Sequence, residues 1–184
     1  MGNSYTNVTL YRADRSNVIG RLNGRHAAVS PIVRDFTVVW DEESETQNVR
    51  ILEALTKRLS HELSCPAWAV LNHDDDVFLY MLFVDGEKLD EYNSCPGYFG
   101  GAGVGPEGGN AALLAKTFGA VSAAKLVEAI LRDQDGYTFA VERHQALIET
   151  LGMPTFGVGM GYRYITSGEC PPGLENADGI AFSE

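Results

Sequence analysis

The chain of 184 residues carries 25 acidic against 14 basic side chains, a formal net charge of −11. Its hydrophobic fraction of 45% is enough for one domain with a full core, and no run of about 18 apolar residues offers a membrane span. A negative surface repels phosphate backbones and anionic headgroups, which argues against nucleic acid and membrane; the charge suits solubility alone, or a basic protein partner.

The start, MGNSYTNVTLYRADR, lacks the apolar core of a secretory signal, so a cytoplasmic protein is expected. MGNSYT has the spacing of a myristoylation signal, but no basic cluster supplies the second anchor that stable attachment needs. Asn7 opens an Asn-x-Thr glycan acceptor, which has no role in a chain that is not secreted.

Residues 7–13 alternate well enough for an edge strand. Asn23-Gly24 is a turn dipeptide, followed by a short strand at 26–30. The β-branched and aromatic run DFTVVW, 35–40, predicts another. The acidic run DEESE, 41–45, then precedes a helix over 46–63, where negative charge favours the dipole. Ser44 with Gln47 has the spacing of a capping box. Val49, Leu52, Leu55, Leu59 and Leu63 form the apolar stripe, Ile51 widens it, and Pro66 stops the helix.

Three strands follow as an antiparallel meander. Residues 67–73 form the first, and Asp74, Asp75 and Asp76 make the bend, where Asp side chains bond local amides and stay solvated. The run VFLYMLFV, 77–84, has the continuous apolar texture of a central strand. Asp85-Gly86 turns the chain into a more polar third strand, 87–93. Residues 95–110 are a glycine-rich surface loop.

The remainder, 111–184, reads as a helical part with a late strand. Asn110 caps a helix over 111–118 that Gly119 ends. Ser122 caps a second, with Ala123, Leu126, Val127, Ile130 and Leu131 inward. Residues 138–151 form a third, closed by Gly152 and Pro154. GYRYIT, 161–166, reads as the strand, and the tail from Cys170 runs over the surface.

His73, Asp74 and Asp76 have oxygen and nitrogen donors at short spacing, but Phe78 and Leu79 stand where a calcium loop needs a ligand and a glycine. Neither metal nor cofactor is therefore expected. GVGPEG, 103–108, matches a dinucleotide-loop spacing, yet no buried strand precedes it, Pro106 lacks an N–H and Glu107 repels phosphate. Asp90 with Glu91 and Glu42 with Glu43 are sequence neighbours, which point apart on a strand and make no acid–base pair.

Cys65, Cys95 and Cys170 each precede a proline and lack Cys-x-x-Cys spacing, so free thiols are expected. Thiol catalysis would need Cys95 with His73 or His144 as its base. His144 shares a helical stripe with Ala140, Leu147, Ile148 and Leu151, the setting of a core histidine.

The segments NHDDDVFLYMLFVDGEKLDEYNSCPGYF, LLAKTFG, FAVERHQALIETLGMP and GYRYI together resemble a group of small bacterial α+β proteins. The likeness spans residues 30–165 and implies a fold; it carries no catalytic residue with it.

The expectation is an α+β single domain: a mainly antiparallel sheet with a β-meander, one long helix packed on it, and a helical C-terminal part. The expected function is a non-enzymatic acidic binding or regulatory protein, inhibitor- or immunity-like, acting on a basic protein. The alternative is a small thiol-dependent hydrolase or transferase using Cys95 with His73 or His144. A histidine within hydrogen-bond reach of Cys95 in a deep pocket separates the two.

Overall fold

Valine, threonine and aromatic residues favour a pleated, half-buried surface, and here they build an eight-stranded antiparallel sheet in an α+β fold. The computed structural model describes residues 2–100, 103, 105–174 and 179–183. Its strands are β1 (Tyr5–Tyr11), β2 (Ala27–Val29), β3 (Phe36–Asp41), β4 (Ala67–His73), β5 (Val77–Val84), β6 (Glu87–Asn93), β7 (Glu107–Gly108) and β8 (Ala181–Ser183), in the order β7-β6-β5-β4-β1-β3-β2-β8. The helices are α1 (Arg15–Arg21), α2 (Val49–Glu62), α3 (Ala111–Thr117), α4 (Ala124–Arg132), α5 (Ala140–Thr150) and α6 (Tyr162–Thr166). Among the described residues no helix is long and apolar enough to cross a membrane.

The meander is present as β4-β5-β6. Asp85 and Gly86 both take positive φ, 51° and 82°, which the two-residue hairpin between Val84 and Glu87 demands. Alternation then sorts the side chains onto two faces. On one face Val8, Leu10, Val39, Ala69, Leu71, Met81 and Phe83 pack under Val18 of α1, Leu22 at its C-cap, and Leu52, Leu55 and Leu59 of α2. On the other, Tyr5, Trp68, Val70, Phe78, Tyr80 and Tyr92 meet Leu114 of α3, Val127 and Leu131 of α4, and Leu147 and Ile148 of α5. A third cluster places Ala28, Val38 and Trp40 against Phe156, Met160 and Ile165. Helices thus cover both faces of the sheet.

Several local expectations need correction. β1 is central, between β3 and β4, not an edge. Its polar alternates are buried because the C-terminal segment covers them: Asn7 Nδ2 donates to the carbonyls of Gly157 and Met160 at 2.8 and 3.1 Å. Residues 15–21 form a helix, capped by Asp14 Oδ1 accepting from Asn17 N–H, so Asn23-Gly24 follows a helix end instead of joining strands.

Ser44 does not cap α2. It lies in a short 3-10 turn, where its N–H and hydroxyl both donate to buried Asp41 Oδ2 at 2.9 and 2.7 Å. Gln47 turns left-handed at φ 61°, and Asn48 caps α2 in its place. Ser122 also makes no cap, and Leu126 points outward at 57% exposure.

GYRYIT is a helix, not a strand. Glu45 Oε1 accepts the Tyr162 N–H at 2.9 Å, placing an anion at the helix start, and Ile165 is buried beneath. The late strand is β8, which pairs with β2.

Candidate functional site

His144 lies apart from the other sequence candidates, whereas Tyr98 stands beside both His73 and Cys95, its ring on the imidazole and its N–H donating to the Cys95 carbonyl at 3.1 Å. His144, on α5, is fully buried beneath the sheet among Tyr5, Trp68 and Phe78. Its Nδ1 is 2.8 Å from the Tyr5 hydroxyl, while Nε2 has no hydrogen-bond partner among the described residues. Burial pushes the imidazole down to about 3 and the Tyr5 phenol well above its ordinary range.

His73 ends β4. Its Nδ1 is 3.2 Å from Gln47 Oε1, and its ring packs on Tyr98 and Phe99, centroids 5.7 and 5.1 Å away. Cys95 lines a different cavity, of about 320 Å³, with Asp75, Asp76, Tyr137 and Arg143. No histidine is among the described residues lining it. Arg143 is committed there: its guanidinium donates to the carbonyls of Ile130 and Asp133, closing the C-terminal end of α4, and sits over the Tyr137 ring. The described hydrogen bonds of both imidazoles run elsewhere than to the Cys95 thiol.

The aspartates of the bend serve the N-terminal segment. Asp74 Oδ1 accepts from Gly2 N–H and Asp75 Oδ2 from Asn3 N–H, each at 2.8 Å, and Asp75 Oδ1 accepts from Asn72 Nδ2. Asp76 Oδ2 accepts from the Tyr98 hydroxyl at 3.1 Å. Asp74 and Asp75 hold positive φ, 51° and 59°, a backbone state that aspartate tolerates better than bulkier residues. Among the described residues no three His, Cys, Asp or Glu side chains gather as a metal site. All three cysteines are free, and burial, with Asp85 adding to it, pushes the Cys65 thiol up to about 11.

A second concavity lies on the α2 face of the sheet. Helix α2 covers the middle of one sheet face and leaves the part toward β6 open. The result is a groove of about 340 Å³, within the usual size range of ligand sites. Its floor is Leu71 of β4 with Leu79 and Met81 of β5; Val49 and Leu52 of α2 form one wall. The rim carries Glu53 from α2, Lys88 and Glu91 from β6, and Glu107 from β7. Two of these carboxylates, Glu53 and Glu91, reach the Lys88 ammonium.

Lys88 Nζ sits 3.1 Å from Glu53 Oε1 and 2.8 Å from Glu91 Oε2, and those bonds raise its pKa, Glu91 contributing most. Along β4, His73 is the next residue after Leu71 on the same face. The half-exposed rings of Tyr98 and Phe99, packed on His73, thus extend the apolar surface beyond the floor.

The sequence marks Glu53 and strand 87–93 only as wet positions. A β-bulge hides their convergence: Leu82 pairs with Asp90 but Phe83 with Lys88, so Leu89 is an extra residue. No family model, curated protein or solved structure matches the chain.

Proposed function

We propose that this chain is a non-enzymatic binding protein that captures a basic, partly apolar segment of a protein partner in the groove between α2 and β6. The observation that carries this reading is the groove itself, an apolar floor of Leu71, Leu79 and Met81 under a rim of Glu53, Glu91 and Glu107. The excess of 25 acidic over 14 basic residues supports it, because complementary charge speeds encounter with a basic partner and disfavours acidic ones. An inhibitor- or immunity-like role in the cytoplasm, neutralising a basic protein by occupying it, follows naturally from such a surface. The described imidazole hydrogen bonds run to Tyr5 and Gln47, not to the Cys95 thiol, so the thiol-enzyme alternative draws no support from them.

Fluorescence anisotropy with a labelled peptide of alternating arginine and leucine tests the reading. The expected result is saturable binding that weakens as salt rises and weakens several-fold further in a Glu53→Gln, Glu107→Gln double variant. Equal binding of an alternating glutamate and leucine peptide, or no binding of the basic one, contradicts it.

A further inference from the structure

The groove already holds a cation of its own. Lys88 reaches from β6 across to α2 and lies between Glu53 and Glu91, at 3.1 and 2.8 Å. All three side chains are solvent-accessible, at 36, 37 and 66%. Exposed ion pairs of this kind are weak and are screened by salt, so they exchange easily. Lysine is also a mobile point charge. A guanidinium presents a planar fork of N–H donors that fits two carboxylates better than an ammonium does.

We propose that Lys88 is a built-in placeholder, and that Glu53 and Glu91 form a clasp which a partner's arginine takes over when its neighbouring apolar side chain seats on Leu71, Leu79 and Met81. This rests on the groove being the binding site, and it adds the recognition element: an arginine followed by an aliphatic or aromatic residue. Charge complementarity selects this occupant. With Lys88 swung to solvent, Glu53, Glu91 and Glu107 face the groove with no internal cation among its described lining residues. Val49, 42% exposed at the start of α2, widens the apolar contact beside the clasp.

The test is the affinity of the alternating arginine and leucine peptide for the wild type, Lys88→Gln and Lys57→Gln, with a lysine and leucine peptide alongside. Lys57 is an exposed α2 lysine outside the groove. It controls for the loss of one positive charge anywhere on the surface. Removing the placeholder is expected to tighten binding of the arginine peptide about two- to fivefold, the size of an exposed pair. Lys57→Gln should change it less, adding Glu53→Gln to Lys88→Gln should abolish the gain, and the wild type should prefer the arginine peptide. Intact wild-type binding that Lys88→Gln leaves unchanged, or changes no more than Lys57→Gln does, overturns the placeholder and leaves the groove reading standing. No binding to any of these proteins overturns both.

Discussion

Lys88 and Glu91 stand three positions apart on one strand and still meet on the same face of the sheet, Nζ to Oε2 at 2.8 Å. Regular alternation would send residues of odd separation to opposite faces. Leu89, the extra residue of the bulge opposite Leu82 and Phe83, resets the phase and turns Lys88 toward α2, where Glu53 receives it. A single irregularity in an outer strand thus assembles the rim of the groove.

The clasp is expected to matter little to folding. Its pairs are exposed, so Lys88→Gln or Glu53→Gln should cost under about 1 kcal/mol in urea unfolding. A loss of several kcal/mol in either variant would mean that the bridge holds α2 on the sheet, and the placeholder account would fail.

Buried His144 gives the protein a defined acid sensitivity. Its folded-state pKa, about 3, lies below the ordinary 6.5. Between those values the unfolded chain binds a proton that the folded one refuses, so stability is full above pH 6.5 and declines as pH falls toward 3. The contribution is on the order of 1 kcal/mol per pH unit over that window. Unfolding measured from pH 7 to 4 should show a shallower slope in His144→Gln than in the wild type. Equal slopes would place the acid sensitivity elsewhere.

Asp75 anchors the N-terminal segment through Asn3 N–H and Asn72 Nδ2, both at 2.8 Å. Asp75→Ala removes the acceptor of Asn3 N–H, leaves Asn72 Nδ2 with the Asn3 carbonyl alone, and puts alanine at φ 59°. A loss of about 1–3 kcal/mol is expected, with faster amide exchange at Asn3. Unchanged exchange there would show that the segment is held by other contacts.

Thiol labelling of the native protein should follow exposure. Cys170 is exposed, Cys95 intermediate and Cys65 buried, so Cys170 should react first and Cys65 only on unfolding. The burial that pushes the Cys65 thiol up to about 11 acts in the same direction. A Cys95 that reacts much faster than Cys170 would reopen the question of a thiol enzyme.

The meander was legible because every local signal agreed on it: Asp85-Gly86 at the turn, an unbroken apolar run in β5 and Pro66 closing the helix before it. Helix α2 was legible from its leucine stripe, and α3 from Asn110 and Gly119. Failures arose where tertiary contacts overrode local pattern. Asn7 reads as solvent-facing until the C-terminal segment covers it, and GYRYIT reads as a strand until Glu45 accepts at its helix start. The groove was illegible for a related reason. Glu53 and Lys88 are 35 positions apart, and the bulge that joins them depends on the register with β5, which no pattern within residues 87–93 specifies.

Amide exchange of the protein with and without the alternating arginine and leucine peptide tests the central claim most directly. The account predicts slowed exchange concentrated at the start of α2, around Val49 and Glu53, and along β6 from Lys88 to Asn93. Slowing centred instead on the Cys95 cavity, around Asp135 and Tyr137, would contradict it.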